Sequence, residues 1–168
     1  MHVEIQRATE AQRETLANLL ELYSYDFTQF ADEDVGEDGR FGYRYLPDYF
    51  TDPRRHPFLV RVDGHYAGFA LVRQVDREGE LLADMAEFFV MRRYRRTGTG
   101  ETVAQQVFDM FPGPWELRVM RANEPAQEFW RRVAADYAGG NFEERWIDDG
   151  KWLVLSFVAP HQSLAAND

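Results

Sequence analysis

Glu87-Phe88-Phe89-Val90-Met91-Arg92-Arg93-Tyr94-Arg95-Arg96-Thr97-Gly98-Thr99-Gly100 is the stretch on which the reading of this chain turns. Its first four residues are apolar and aromatic after Glu87 and suit a strand. The rest is basic and ends in two glycines one residue apart. Glu101 to Met110 follows with helical character. A strand running into a basic, glycine-containing turn and then a helix makes an anion site. The first N–H groups of a helix have no intrahelical partner, and the dipole there favours negative charge. Gly98 and Gly100 let the backbone approach an anion with no Cβ between them. No Gly-Lys-Ser/Thr follows, so this is not a Walker A loop, and the glycine spacing is not that of the dinucleotide fingerprint. The other reading of the same residues is a solvated basic helix start.

Working outward, 168 residues with 45% hydrophobic content suffice for one domain with its own core. The expectation is a single domain over residues 1–158 and a frayed tail over 159–168. No cysteine is present, which excludes disulfides, thiolate metal sites and a cysteine nucleophile. Four scattered histidines have no ligand spacing, so no metal is expected. No apolar run reads as a signal peptide or membrane span. These features together fit a cytoplasmic protein with no membrane partner.

The net charge is −10, which disfavours nucleic acid. Acid is concentrated early, from Glu21 and Asp26 through Asp32–Asp38 to Asp52. Base is concentrated later, at Arg92, Arg93, Arg95, Arg96, Arg118, Arg121, Arg131 and Arg132. A local basic patch on an acidic chain suits a small polyanion. The early acid is either a solvated loop or a lure for a cationic amine.

In chain order, Val3–Arg7 alternates weakly as an edge strand. Thr9 and Gln12 make a capping-box pair, so a helix starts near Glu10, with Leu16, Leu19, Leu20, Tyr23 and Phe27 as its apolar stripe. Residues 31–42 are acidic, contain three glycines and read as a loop. Tyr43 to Phe50 is aromatic, a short helix broken by Pro47. Tyr23, Asp26, Tyr45 and Tyr49 are candidate acceptor-site residues, since aromatics beside acids can box an amine; core packing is the alternative. Phe58–Val62, an Asp63-Gly64 turn and His65–Val75 make a hairpin, and Leu81–Val90 a third antiparallel strand. Gly68 marks a bulge or a close approach. After a helix over 99–111, Pro112-Gly113-Pro114 stops the chain. Trp115–Met120 is then a strand parallel to the third. Asn123 caps a helix with Ala126, Phe129, Trp130 and Val133 on one face. Phe142–Ile147 and Trp152–Val158 form a last hairpin.

Two motifs carry a family resemblance. Arg95-x-x-Gly98-x-Gly100 resembles the acyl-CoA pyrophosphate loop of the GNAT N-acetyltransferase superfamily, and the preceding Glu-Phe-Phe-Val resembles its fourth strand. Asn123-x-x-Ala126-x-x-Phe129-Trp130 resembles the later motif Asn-x-x-Ala-x-x-φ-Tyr that lies along the coenzyme. The chain is most similar to predicted bacterial acetyltransferases of that superfamily. The resemblance implies an α+β fold: a mixed, mostly antiparallel sheet of six or seven strands with about four helices, and strands 4 and 5 parallel and splayed. It implies acetyl-CoA as cosubstrate, with Phe89, Val90, Arg95, Arg96, Thr97, Gly98, Thr99, Gly100, Asn123, Ala126, Phe129 and Trp130 as its contacts. One departure matters: the tyrosine that often ends the second motif, and can protonate the leaving thiolate, is Trp130 here. Tyr137, further along the same helix, is the remaining candidate acid.

Acyl transfer to an amine needs a base, because an alkylammonium has a pKa near 10. It also needs a donor to the developing oxyanion, for which a backbone N–H near Val90 is the candidate. Glu87 is the candidate general base, where burial beside Phe88 and Phe89 would tune it. The alternative places Glu87 outward in water or in a structural ion pair. The expected function is N-acetylation of a primary amine on a small molecule or peptide, by direct attack in a ternary complex. A non-catalytic acyl-CoA sensor or protein-interaction module on the same fold is the alternative. The last hairpin and exposed aromatics are candidates for a homodimer interface.

Overall fold

Alternating apolar residues build the strands, and their register decides which side chains are buried. In the computed structural model, which describes residues 1–160, β1 (Val3–Arg7) pairs antiparallel with β2 (Arg55–Val62), and β2 with β3 (His65–Arg77). Next come β4 (Glu80–Val90), β5 (Gly113–Met120), β6 (Phe142–Ile147) and β7 (Trp152–Ala159). The seven strands lie in the order β1-β2-β3-β4-β5-β7-β6. Strands β4 and β5 are parallel, and β7 pairs antiparallel with both β5 and β6. The helices are α1 (Arg13–Phe27), α2 (Asp48–Thr51), α3 (Thr99–Met110) and α4 (Glu124–Tyr137). The mixed α+β architecture expected from the sequence is the one observed.

Several boundaries differ from the sequence reading. Glu10–Gln12 is a 3-10 turn, and α1 proper begins at Arg13. The Thr9 N–H does donate to Gln12 Oε1 at 3.0 Å, so the capping pair operates one turn before the α-helix. Pro47 does not break a helix but precedes one, where its missing N–H costs nothing. Strand β5 starts at Gly113, so Pro114 lies inside it, opposite Val158. Ala159, assigned to the tail from sequence, pairs with Gly113 as the end of β7; the remainder of that tail, from residue 161, lies outside the described residues.

The chain divides into two compact units: Met1–Arg73 with Met85–Gly100, and Gln74–Asp84 with Glu101 onward. In the first, Leu16, Leu19 and Leu20 of α1 pack with Tyr49, Leu59, Phe69, Leu71 and Phe89. Each such fully buried aliphatic or aromatic side chain contributes about 1.5–3 kcal/mol relative to exposure. In the second, Phe108 of α3 is the hub, with ring centroids 4.9 Å from Trp115, 5.0 Å from Tyr137 and 4.8 Å from Phe157.

Gly68 combines both features its position suggested. Val60 pairs with Gly68 and Arg61 with Tyr66, so Ala67 is an extra, bulged residue. A Cβ on Gly68 would sit 1.9 Å from the Phe89 carbonyl oxygen. The Ala67 carbonyl turns to accept the Met91 N–H at 2.8 Å. The glycine thus lets the end of β4 press against β3 just before the basic loop.

Candidate active site

The basic loop leaves β4 at Val90 and reaches α3 at Thr99. Arg95, first residue of the glycine motif, is exposed but folds back onto the end of β4 and α1. Its Nε donates to the Val90 carbonyl at 2.7 Å, and its Nη2 to Asp26 Oδ2 at 2.6 Å. Arg92 grips the other oxygen, Asp26 Oδ1, through Nη2 at 2.7 Å and Nε at 3.1 Å. Burial works to raise the Asp26 carboxyl, but the hydrogen bonds and charges of Arg92 and Arg95 outweigh it and hold it below the ordinary carboxylate range. Asp26, a candidate for the acceptor amine, therefore lies with two arginines and braces the loop against the end of α1.

Beyond Arg95 the loop is exposed. Arg96 adopts φ 60° and Gly98 φ 83°, and a Cβ on Gly98 would meet nothing within 4 Å. Thr97 Oγ1 donates to the Tyr94 carbonyl at 2.7 Å and lies 2.8 Å from Thr99 Oγ1, so two hydroxyls stiffen the turn into α3. What remains open is an exposed backbone with Arg93 and Arg96 alongside, leading into a helix N-terminus. That arrangement suits an anion such as a pyrophosphate.

Upstream of this loop, near the end of β4, stands Glu87, half-buried. Two tyrosine hydroxyls donate to its carboxylate: Tyr23 of α1 to Oε2 at 2.6 Å, and Tyr43 to Oε1 at 3.1 Å. Burial first, and the Glu87 charge second, push both phenols above their ordinary value of 10.0. They stay protonated donors at any working pH. Tyr49 lies behind Tyr43, with ring centroids 6.5 Å apart. It is almost wholly buried, and burial pushes its phenol up to about 12. Tyr45 is half-exposed and sandwiched by cations, with Arg44 4.5 Å and Arg55 5.4 Å from its ring centroid. Of the four candidate acceptor residues, Tyr23 faces the carboxylate, Tyr49 lies in the core, and Asp26 and Tyr45 are engaged by arginines.

Tyr43 and its anchor, Glu21, were not among the candidate site residues. Glu21 accepts the N–H groups of Phe41 at 2.8 Å and Gly42 at 2.9 Å, which fixes the end of the acidic loop. A sequence offers a faint signal for Tyr23, which continues the buried stripe of α1 with a hydroxyl at its tip. It offers none for Tyr43, which lies on a loop and 44 residues from Glu87.

The second motif is described within its own unit. Asn123 caps α4, its Oδ1 accepting the Ala126 N–H at 3.1 Å. Ala126 and Phe129 are partly exposed. Trp130 is buried, 4.8 Å from the Phe129 centroid and 6.4 Å from that of Phe108. Gln127, missed in the sequence reading, is buried and donates through Nε2 to the carbonyls of Met120 and Arg121 at 3.1 and 2.8 Å. Its signal was a polar residue on the buried stripe that also carries Trp130 and Ala134. Tyr137 donates to Asp109 Oδ1 at 2.7 Å, and burial followed by that bond raises its phenol.

Among the described residues no group of three or more His, Asp or Glu could hold a metal ion, and no helix is long and apolar enough to cross a membrane.

Comparison with known proteins accords with this architecture. Residues 16–134 match the model of the acetyltransferase (GNAT) family, and the chain belongs to that family. Three solved structures share the fold. An acetyltransferase from Thermus thermophilus has a TM-score of 0.71 at 14% identity, over 94% of this chain and 97% of that one. Spermidine N-acetyltransferase from Vibrio cholerae, in complex with CoA and spermine, has a TM-score of 0.67 at 11% identity, over 94% and 95%. The ribosomal-protein-S18-alanine N-acetyltransferase of Escherichia coli has a TM-score of 0.61 at 14% identity, over 99% and 100%. No curated protein matches the sequence.

Proposed function

We propose that this chain is an N-acetyltransferase that moves the acetyl group of acetyl-CoA to a primary amine by direct attack, with Glu87 as the general base. The observation that carries the reading is the Glu87 carboxylate, half-buried on β4 between two tyrosine hydroxyls, three residues before Val90. Structural neighbours that act on amines support the class of acceptor: the spermidine enzyme, the ribosomal-protein enzyme and an aminoglycoside acetyltransferase bound to sisomicin.

In this mechanism the exposed backbone from Arg96 to Gly98, with the start of α3 at Thr99 and Gly100, binds the pyrophosphate. Arg95 serves the loop rather than the phosphate, through its bonds to Val90 and Asp26. Asn123, Ala126, Phe129 and Trp130 are assigned to the coenzyme by their own motif. Glu87 takes the proton from the ammonium, the amine attacks the thioester carbonyl, and a backbone N–H near Val90 stabilises the oxyanion. The Met91 N–H is already given to Ala67, so it is not that donor. Collapse of the tetrahedral intermediate releases the thiolate, and the second proton of the attacking nitrogen passes to it through water; Tyr137, the candidate acid of the sequence, would first have to give up its bond to Asp109.

Burial of Trp130 against Phe129 and Phe108, where a tyrosine often stands, favours a second reading: an acyl-CoA sensor without chemistry. Thermal unfolding with and without acetyl-CoA, followed by thiol release with an amine panel, separates the two. Ligand at about 100 times Kd adds about 2.7 kcal/mol and raises Tm by several degrees. Gly98→Val, strained at φ 83°, should abolish that rise. A rise with no acceptor-dependent thiol release favours the sensor, and no rise at millimolar ligand removes the coenzyme site.

A further inference from the structure

We infer that Tyr23 and Tyr43 are positioning residues for Glu87, and that Glu21 is the clamp that delivers Tyr43; the inference rests on Glu87 being the base. Each carboxylate oxygen receives its own hydroxyl, Oε2 from Tyr23 and Oε1 from Tyr43. Two donors on the two oxygens fix the carboxylate plane as well as its place.

The donors reach Glu87 by different routes. Tyr23 is set by helix register, with its ring 5.6 Å from Phe69 and 5.9 Å from Phe89. Those contacts leave its hydroxyl little freedom. Tyr43 arrives on a loop, and a loop needs an anchor. Glu21 lies half a turn before Tyr23 on the same helix and holds the two backbone N–H groups just ahead of Tyr43. Gly42, at φ 71°, permits the turn between that anchor and the tyrosine. One helix therefore supplies a hydroxyl to Glu87 directly and, through Glu21, fixes the second.

Donation to the charged form of a carboxyl favours ionisation. The pair thus aims the carboxylate and favours its charged form over the protonated one. Other charges act on the cluster: Glu33 on Tyr23, and Arg55 and Arg73 on Tyr49. Removing a hydroxyl leaves all of these in place and keeps the ring that packs in the core.

The test uses the full chain labelled with 13C at the glutamate carboxyls, with the Glu87 signal identified by its loss in Glu87→Gln. Tyr23→Phe and Tyr43→Phe should each raise the titration midpoint of that signal, and the double variant should raise it further. Glu21→Gln should raise it in the same direction, with no further rise when combined with Tyr43→Phe. The same shifts should appear in the acid limb of kcat/KM, measured with acetyl-CoA and the best amine of the panel. An unmoved midpoint in the folded double variant overturns the inference and leaves the base reading intact. Full turnover by Glu87→Gln instead overturns the base reading, and the catalytic role of the tyrosines with it.

Discussion

Two glutamates on central strands, one in each unit, can be set side by side by the donors they receive. Glu87 on β4 receives hydroxyls from Tyr23 and Tyr43. Glu116 on β5 is only 4% exposed and receives guanidinium groups from Arg77 at 2.9 Å and Arg145 at 2.6 Å, both on the same oxygen. A guanidinium donates and never accepts, and it does not lose its proton. A carboxylate held so is a fixed charge in a structural network. A phenol donates a hydrogen bond without bringing a countercharge of its own. The difference teaches that hydroxyl donors on a strand glutamate, here one on each oxygen, are a feature worth testing for chemistry.

The comparison can be broken most sharply by exchanging the effects. Glu87→Gln should lower turnover about 10²-fold or more with Tm little changed, read from steady-state thiol release beside a melting curve. Undiminished turnover would place Glu87 with Glu116 as a structural residue. Glu116→Gln should leave turnover near that of the parent but cost about 2 kcal/mol of stability by urea unfolding, the scale of a hydrogen bond to a charged group. The two arginines are nearly half-exposed and can turn to water, so a larger loss is not expected.

A third carboxylate sharpens the contrast by pH. Asp26 too is held by arginines, and its carboxyl is depressed below the ordinary 3.8. A depressed folded-state value means stability that is fully present above the unfolded value and lost as pH falls through the folded one. Asp26→Asn should therefore be less stable than the parent at pH 7, by a modest amount for a partly solvated pair. The gap should narrow only below the ordinary value of 3.8. A gap constant from about pH 7 to about pH 2.5, by denaturant midpoints, would remove the ion pair as its cause.

Much of the fold was legible because its signals are local. The hairpin turn at Asp63-Gly64, both at positive φ, and the Asn123 cap each lie within a few residues of what they determine. The glycine motif identified the loop for the same reason. Two of the elements misjudged are places where proline has two meanings: Pro47 opens α2, and Pro114 sits in β5. The site was less legible than the fold. Tyr23 and Glu87 are 64 residues apart, and no periodicity links a helix tip to a strand position. Arg95 could be read from its motif, but its fold back onto Val90 and Asp26 depends on tertiary packing. Glu21 looked like one more surface acid because its partners are backbone N–H groups, which no sequence displays.

The bulge on β3 has a consequence for how this sequence can vary. Gly64, Gly79 and Gly140 hold positive φ with open space where a Cβ would go, so asparagine or aspartate are workable neighbours in sequence space. Gly68 has no such neighbours. Any Cβ there collides with the backbone oxygen of Phe89, and no rotamer can move it away. Across a lineage the turn glycines can drift while position 68 stays fixed, tying the history of β3 to the strand that carries Glu87.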